Sequence, residues 1–147
     1  MNRIRYYLFP AFILLHIYSY GQYFKKLGME DGLSNPSVLA ICQDTLGRMW
    51  FGTNEGVNVY NGEEILKYKS YEVPGRSPQK VLMNGTVNQI VSNSQGDIFM
   101  RNNGVLIKYD IRKERFMELY PYRVSALAAI KGRIWCAVRD SVFIHDA

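Results

Sequence analysis

Short apolar, β-branched runs alternate along this chain with clusters of Gly, Asn and Asp. Val38-Leu39-Ala40-Ile41-Cys42 is followed by the turn Asp44-Thr45-Leu46-Gly47, then by Met49-Trp50-Phe51-Gly52-Thr53. Asn54-Glu55-Gly56 turns the chain again, and Val57-Asn58-Val59-Tyr60 alternates as a half-buried strand should. Asn61-Gly62 is a strong hairpin signal, and Ile65-Leu66-Lys67-Tyr68 reads as a fourth strand. An Asp that caps its own backbone and a Gly at positive φ suit the turn at 44–47. The order recurs: a strand over 87–91, a turn at 93–96, strands over 98–100 and 105–109, then Phe116-Met117-Glu118-Leu119. A third, shorter set runs over 124–130, 134–138 and 142–145. No stretch after residue 21 keeps a helical period.

Three anchors recur with these strands. Gly47, Trp50 and Tyr60 shift together by 49 residues to Gly96, Phe99 and Tyr109, and those shift by 36 to Gly132, Trp135 and His145. A repeat of this size, with about four antiparallel strands per unit, describes a β-propeller blade. A sandwich or small barrel does not require the same turn chemistry at fixed offsets. The expected fold is all-β, a partial propeller of about three four-stranded antiparallel blades over 37–72, 86–120 and 123–147. Phe24-Lys25-Lys26-Leu27 resembles the fourth strands, so 22–28 reads as a leading strand that closes a ring by joining a last blade. About four to eight blades close such a ring. The chain is thus expected to be the N-terminal part of a longer product or a truncated reading frame.

Residues 1–21 read as a signal peptide: Arg3 and Arg5 precede a mostly apolar stretch, and Ser19-Tyr20-Gly21 offers small residues for cleavage between Gly21 and Gln22. The apolar run falls short of the ~20 residues that span a bilayer, although an uncleaved anchor is the alternative. Loss of Arg3 and Arg5 lowers the formal net charge from +5 to +3. The remaining bases are interleaved with acids, as at Glu63, Glu64, Lys67 and Lys69, which argues against nucleic acid as a partner. Export permits a disulfide, but Cys42 and Cys136 fall on different strands with a blade between them. Two buried free thiols are expected, with no metal site and no cofactor.

The segments Glu30-Asp31-Gly32-Leu33-Ser34-Asn35 and Gln43-Asp44-Thr45-Leu46-Gly47-Arg48-Met49-Trp50-Phe51-Gly52-Thr53, with Gly56-Val57-Asn58-Val59-Tyr60, closely resemble the two-component regulator propeller repeat. The resemblance is strong over 28–62 and looser beyond. Phe99-Met100-Arg101 stands where Trp-Phe-Gly is expected, and Trp135 is kept without the following Gly-Thr. It implies the periplasmic sensor region of a hybrid two-component system of Bacteroidetes type. Such proteins continue through further blades, an immunoglobulin-like domain and an inner-membrane helix to a histidine kinase and receiver, and many sense glycan fragments. On that reading this segment is a sensing module and not an enzyme. Its partners would be the remaining blades and kinase of the same protein, an oligosaccharide ligand and a second copy in a homodimer.

No catalytic constellation stands out. Trp50, Phe99 and Trp135 hold one repeated position, as inter-blade packing residues do. Asp44 and Asn93 read as turn caps, and Asn84-Gly85-Thr86 reads as a turn that also matches a glycosylation acceptor. The candidates for ligand contact lie in the less repetitive connections: Tyr71 and Arg76 between the first two blades, Tyr122 and Arg123 between the second and third. They suit stacking on, or hydrogen bonding to, a sugar acid; a plain solvated linker is the competing reading. Two alternatives to the sensor stand: a fragment of an exported polysaccharide-active propeller enzyme, and a truncated gene product without function.

Overall fold

A computed structural model describes residues 24–72, 80–120 and 122–146. The signal-peptide reading, the Gly21–Gln22 cleavage site and Arg76 lie outside them. The first blade is a four-stranded antiparallel sheet, β1 (Val38–Gln43), β2 (Met49–Thr53), β3 (Gly56–Tyr60) and β4 (Ile65–Tyr68), hydrogen-bonded in chain order. The second contains β7 (Val87–Ser92), β8 (Ile98–Asn102), β9 (Val105–Asp110) and β10 (Arg115–Glu118). The third comprises β11 (Ala126–Ile130), β12 (Arg133–Val138) and β13 (Ser141–His145). Fold and repeat are those of β-propeller blades. Gly47, Gly96 and Gly132 all turn with positive φ, at 80°, 87° and 77°.

The connection between the first two blades differs from a simple linker. Its ends form β5 (Ser70–Glu72) and β6 (Lys80–Leu82), an antiparallel pair that adds to the outer edge of β10 and makes the second sheet six-stranded. β5 runs parallel to β10 through Met117 and Glu72. The first blade therefore ends at Tyr68, and residues 70–72 belong to the second sheet. Residues 24–28 pair with none of the described strands, and Phe24 is 88% exposed; the last blade that the leading strand was expected to join is not among the described residues. A strand needs a neighbouring edge, and none of the described edges receives it. The next residues are tied down instead: Ser34 N–H donates to Asn58 Oδ1 at 2.9 Å, and Asn58 Nδ2 donates to Ser34 Oγ at 2.7 Å. Asn58 is fully buried, so this pairing satisfies an amide that would otherwise be costly.

Two apolar cores lie in the seams between blades. The first gathers Trp50, Val57 and Val59 with Met83, Val87, Ile90, Ile98, Met100, Ile107, Tyr109 and Phe116. The second gathers Phe99 and Leu106 with Val124, Leu127, Ile134, Cys136 and Val138. Trp50 stacks parallel on Tyr68 with centroids 6.0 Å apart, and Phe116 meets Tyr68 edge-on at 4.7 Å. Offset and edge-to-face rings of this kind add to the burial of apolar area.

Backbones come closest where the sequence has glycine. A β-carbon on Gly52 would sit 2.3 Å from the Val87 carbonyl oxygen of the next blade. A related contact repeats at the turns. The Thr45 side chain covers Gly96, and the Ser94 side chain covers Gly132. Thr45 and Ser94 are themselves 49 residues apart, so one hydroxyl-bearing turn residue packs on the next blade's turn glycine at both seams.

Candidate functional site

An antiparallel blade brings its second-to-third-strand turn and the entry to its first strand to the same end. At that end, between the second and third blades, a cleft of about 520 Å³ opens, lined in part by Thr86, Asn88, Arg101, Asn103, Arg123 and Ser125. Its origin lies in one register position. Gly52 of β2 corresponds, 49 residues on, to Arg101 of β8. At the first seam the glycine lets the Val87 backbone close in. At the second, the Arg101 guanidinium spans the gap and donates through Nη1 to the Val124 carbonyl at 3.3 Å. A long polar side chain thus stands where the neighbouring seam has backbone contact.

The two guanidiniums are oriented by different elements. Arg101 Nε donates to Asn88 Oδ1 at 3.0 Å, which ties β8 to β7. Arg123 Nη1 donates to the Asn103 carbonyl at 2.9 Å. Asn103 adopts φ 48°, a left-handed conformation that Asn tolerates better than most residues. Its Oδ1 accepts from Thr86 N–H at 3.1 Å, so the β8–β9 turn is braced against the segment entering β7. Neither Arg101 nor Arg123 has a carboxylate partner among the described residues, and no acidic side chain lines the cleft. Each guanidinium carries about five N–H donors in a planar fork. Among the described residues the lining holds no His, Cys or carboxylate; those present can bind and orient a ligand.

Of the residues singled out in the sequence, the structure brings Arg123 to the cleft. Tyr122 is 56% exposed and is not among the lining residues. Tyr71 is 6% exposed and packs in the first core, so its ring is not presented to solvent. Arg101, Asn88 and Thr86 were not read as ligand contacts. The signal for Arg101 was visible as the departure from Trp-Phe-Gly in the second blade, but drift between repeats accounts for such a change equally well.

A smaller cleft of about 250 Å³ lies at the first seam, lined by Ser34, Glu55, Lys67, Lys69 and Asn84 among others. There a carboxylate accompanies the two lysines. Among the described residues no cluster of His, Cys, Asp or Glu is placed to hold a metal. Cys42 and Cys136 are free thiols, and burial raises the pKa of both.

The turn at the opposite end of the first blade is built around Asp44. Its carboxylate accepts from Trp50 Nε1 at 2.9 Å and pairs with Arg48 Nε at 2.7 Å. Burial by itself would raise this carboxyl, but the Trp50 and Arg48 hydrogen bonds hold it below the usual value. Arg48 also lies over the Trp50 and Tyr109 rings, 5.7 Å from each centroid. Burial raises the Tyr68 hydroxyl to about 12, with Tyr109 adding to the effect. In the second blade the wiring changes: Asp97 pairs with Lys108 at 2.6 Å and accepts from Ile111 N–H. These groups sit in the packing and serve the fold.

Comparison with known proteins agrees with this architecture. A family model for the two component regulator propeller matches residues 32–55. Histidine kinase P4 of Formosa agariphila is 40% identical over 47 residues, which is 32% of this chain and 3% of the kinase. The extracellular domain of a B. thetaiotaomicron protein described as a one component system superposes with a TM-score of 0.63 at 18% identity, over 91% of this chain and 18% of that one. The extracellular domain of a protein described as a hybrid two component system from the same organism covers 82% of this chain and 24% of its own, at 19% identity and a TM-score of 0.36. This chain therefore spans a small part of each relative. No helix among the described residues is long and apolar enough to cross a membrane. The strand register, the blade-by-blade anchors and the matched repeat together make this a β-propeller segment whose residues 32–55 match the two component regulator propeller repeat.

Proposed function

We propose that residues 24–146 are ligand-sensing blades of an exported, membrane-tethered two-component sensor, with the ligand an oligosaccharide and the kinase output carried elsewhere in the full-length protein. The observation that carries the reading is the polar cleft between the second blade and the segment that leads into the third, which offers donors for a ligand and no catalytic group among the described residues. The repeat match and the likeness to an extracellular sensor domain support the setting. A ligand held between the second blade and the segment that leads into the third bears on how the two blades pack, and a change in packing is what a sensor passes on. Periplasmic location, inner-membrane tethering and homodimerisation belong to the same proposal.

The DNA on both sides of codons 1 and 147 tests it. A continuing frame with further blades, a membrane span and a histidine kinase is the expected result. A frame that continues into a hydrolase or lyase, without a membrane span, overturns the sensor reading.

A further inference from the structure

We infer that the cleft between the second and third blades is an oxyanion subsite, which takes a hydroxyl-rich ligand carrying a carboxylate or sulfate group, held by Arg101 and Arg123. The inference rests on the ligand-sensing reading and adds the chemical class of the ligand. Two guanidiniums converge on one cavity, Arg101 from the second blade and Arg123 from the segment that leads into the third, and neither is neutralised by an acid among the described residues. Arg101 is partly buried and Arg123 is exposed. Here both are partly committed to protein acceptors, which fixes their orientation, while Nη2 of each has no protein acceptor among the described residues. A planar fork held in place with donors to spare matches an oxyanion, and a bidentate contact adds geometric selectivity.

The rest of the lining suits hydroxyl groups and not a bare ion. Asn88, Asn103, Thr86 and Ser125 place amides and hydroxyls around the same space. The volume, about 520 Å³, lies within the range of pockets that take small organic ligands. The corresponding position at the first seam is Gly52, which brings no guanidinium, and in the smaller cleft there Glu55 accompanies Lys67 and Lys69.

Titration calorimetry on the purified full chain tests this with four probes: trigalacturonate, galactose 6-sulfate, maltotriose and inorganic sulfate. At least one anionic sugar is expected to bind ten-fold or more tightly than maltotriose and sulfate. Arg101→Gln and Arg123→Gln are each expected to weaken that binding at least ten-fold, with an unchanged melting temperature for the exposed Arg123 variant. Arg101→Lys keeps the charge without the fork and is expected to recover binding only in part. Equal binding of maltotriose, with no effect of Arg123→Gln, overturns the inference but leaves ligand sensing standing. Equal binding of inorganic sulfate shows a simple anion site and also overturns it. Binding of none of the four overturns it as well.

Discussion

Trp50 of the first blade and Tyr109 of the second meet ring to ring, with centroids 4.8 Å apart and planes tilted by 54°. The next seam repeats the arrangement. Phe99 meets His145 at 5.6 Å and 60°. The first aromatic of each blade thus packs on the second ring of the blade that follows, and the two sequence anchors are two halves of one inter-blade joint. Trp50, Phe99 and Tyr109 are almost fully buried, as this role requires. Tyr60 and Trp135 hold the outward halves of the series and are each only partly buried. The Trp135 Nε1–H is buried without a hydrogen-bond acceptor among the described residues. In the third blade the tighter turn sets Ile130 opposite Arg133, where the first blade has Asp44 opposite Arg48.

Trp50→Ala removes the centre of that joint. Deleting a buried aromatic of this size costs ~3–5 kcal/mol. The variant is expected to melt early or fail to fold, as followed by circular dichroism. A Trp50 variant that melts like the parent contradicts the packing role.

Gly52→Ala is the most economical probe of the seam. The added methyl meets the Val87 carbonyl, a backbone atom that moves only if the two blades separate. Overpacking of this kind costs ~1–3 kcal/mol. A lower urea midpoint with an unchanged slope is the expected result, and no change in midpoint contradicts the close approach.

Asp44 gives a pH signature. Hydrogen bonds from Trp50 and Arg48 hold its carboxyl below the ordinary carboxylate range in the folded protein. The depressed pKa means that its stabilisation is complete above the unfolded value and is lost as pH falls through the folded one. Asp44→Asn keeps an acceptor but loses the charge. The parent is expected to melt higher than this variant at pH 7, and the gap to close as pH falls below about 4. A gap that stays constant down to pH 3 excludes the charged Asp44–Arg48–Trp50 arrangement.

The thiols give a simple check on the fold. Cys42 is half-buried and Cys136 buried, in different sheets. Intact mass under non-reducing conditions is expected to show two free thiols, with Cys42 alkylated before Cys136. Equal rates for the two, or a disulfide, contradict the placement.

Strands and turns were legible because their signals are local: alternation over β3, Asn61-Gly62 before β4, and Asp44 three residues before Gly47. The β5–β6 hairpin was not. Its flanking Pro74, Gly75 and Pro78 read as a linker, and the pairing of β5 with β10 joins residues more than forty positions apart. Tyr71 looked available for a ligand because exposure cannot be read from a short polar stretch, and the hairpin turns its ring into the core.

By itself, the sequence determined that this protein is a repeat of short antiparallel strands. It also showed which glycines and aromatics recur, since periodicity and turn chemistry are written in neighbouring residues. Only the tertiary structure decided how one blade lies on the next. That placement joins Trp50 to Tyr109, forces glycine at position 52, and brings Arg101 of the second blade and Arg123 of the following connection to one cleft. A repeat offset relates residues within the chain, but convergence of side chains across a seam depends on the twist and separation of the sheets.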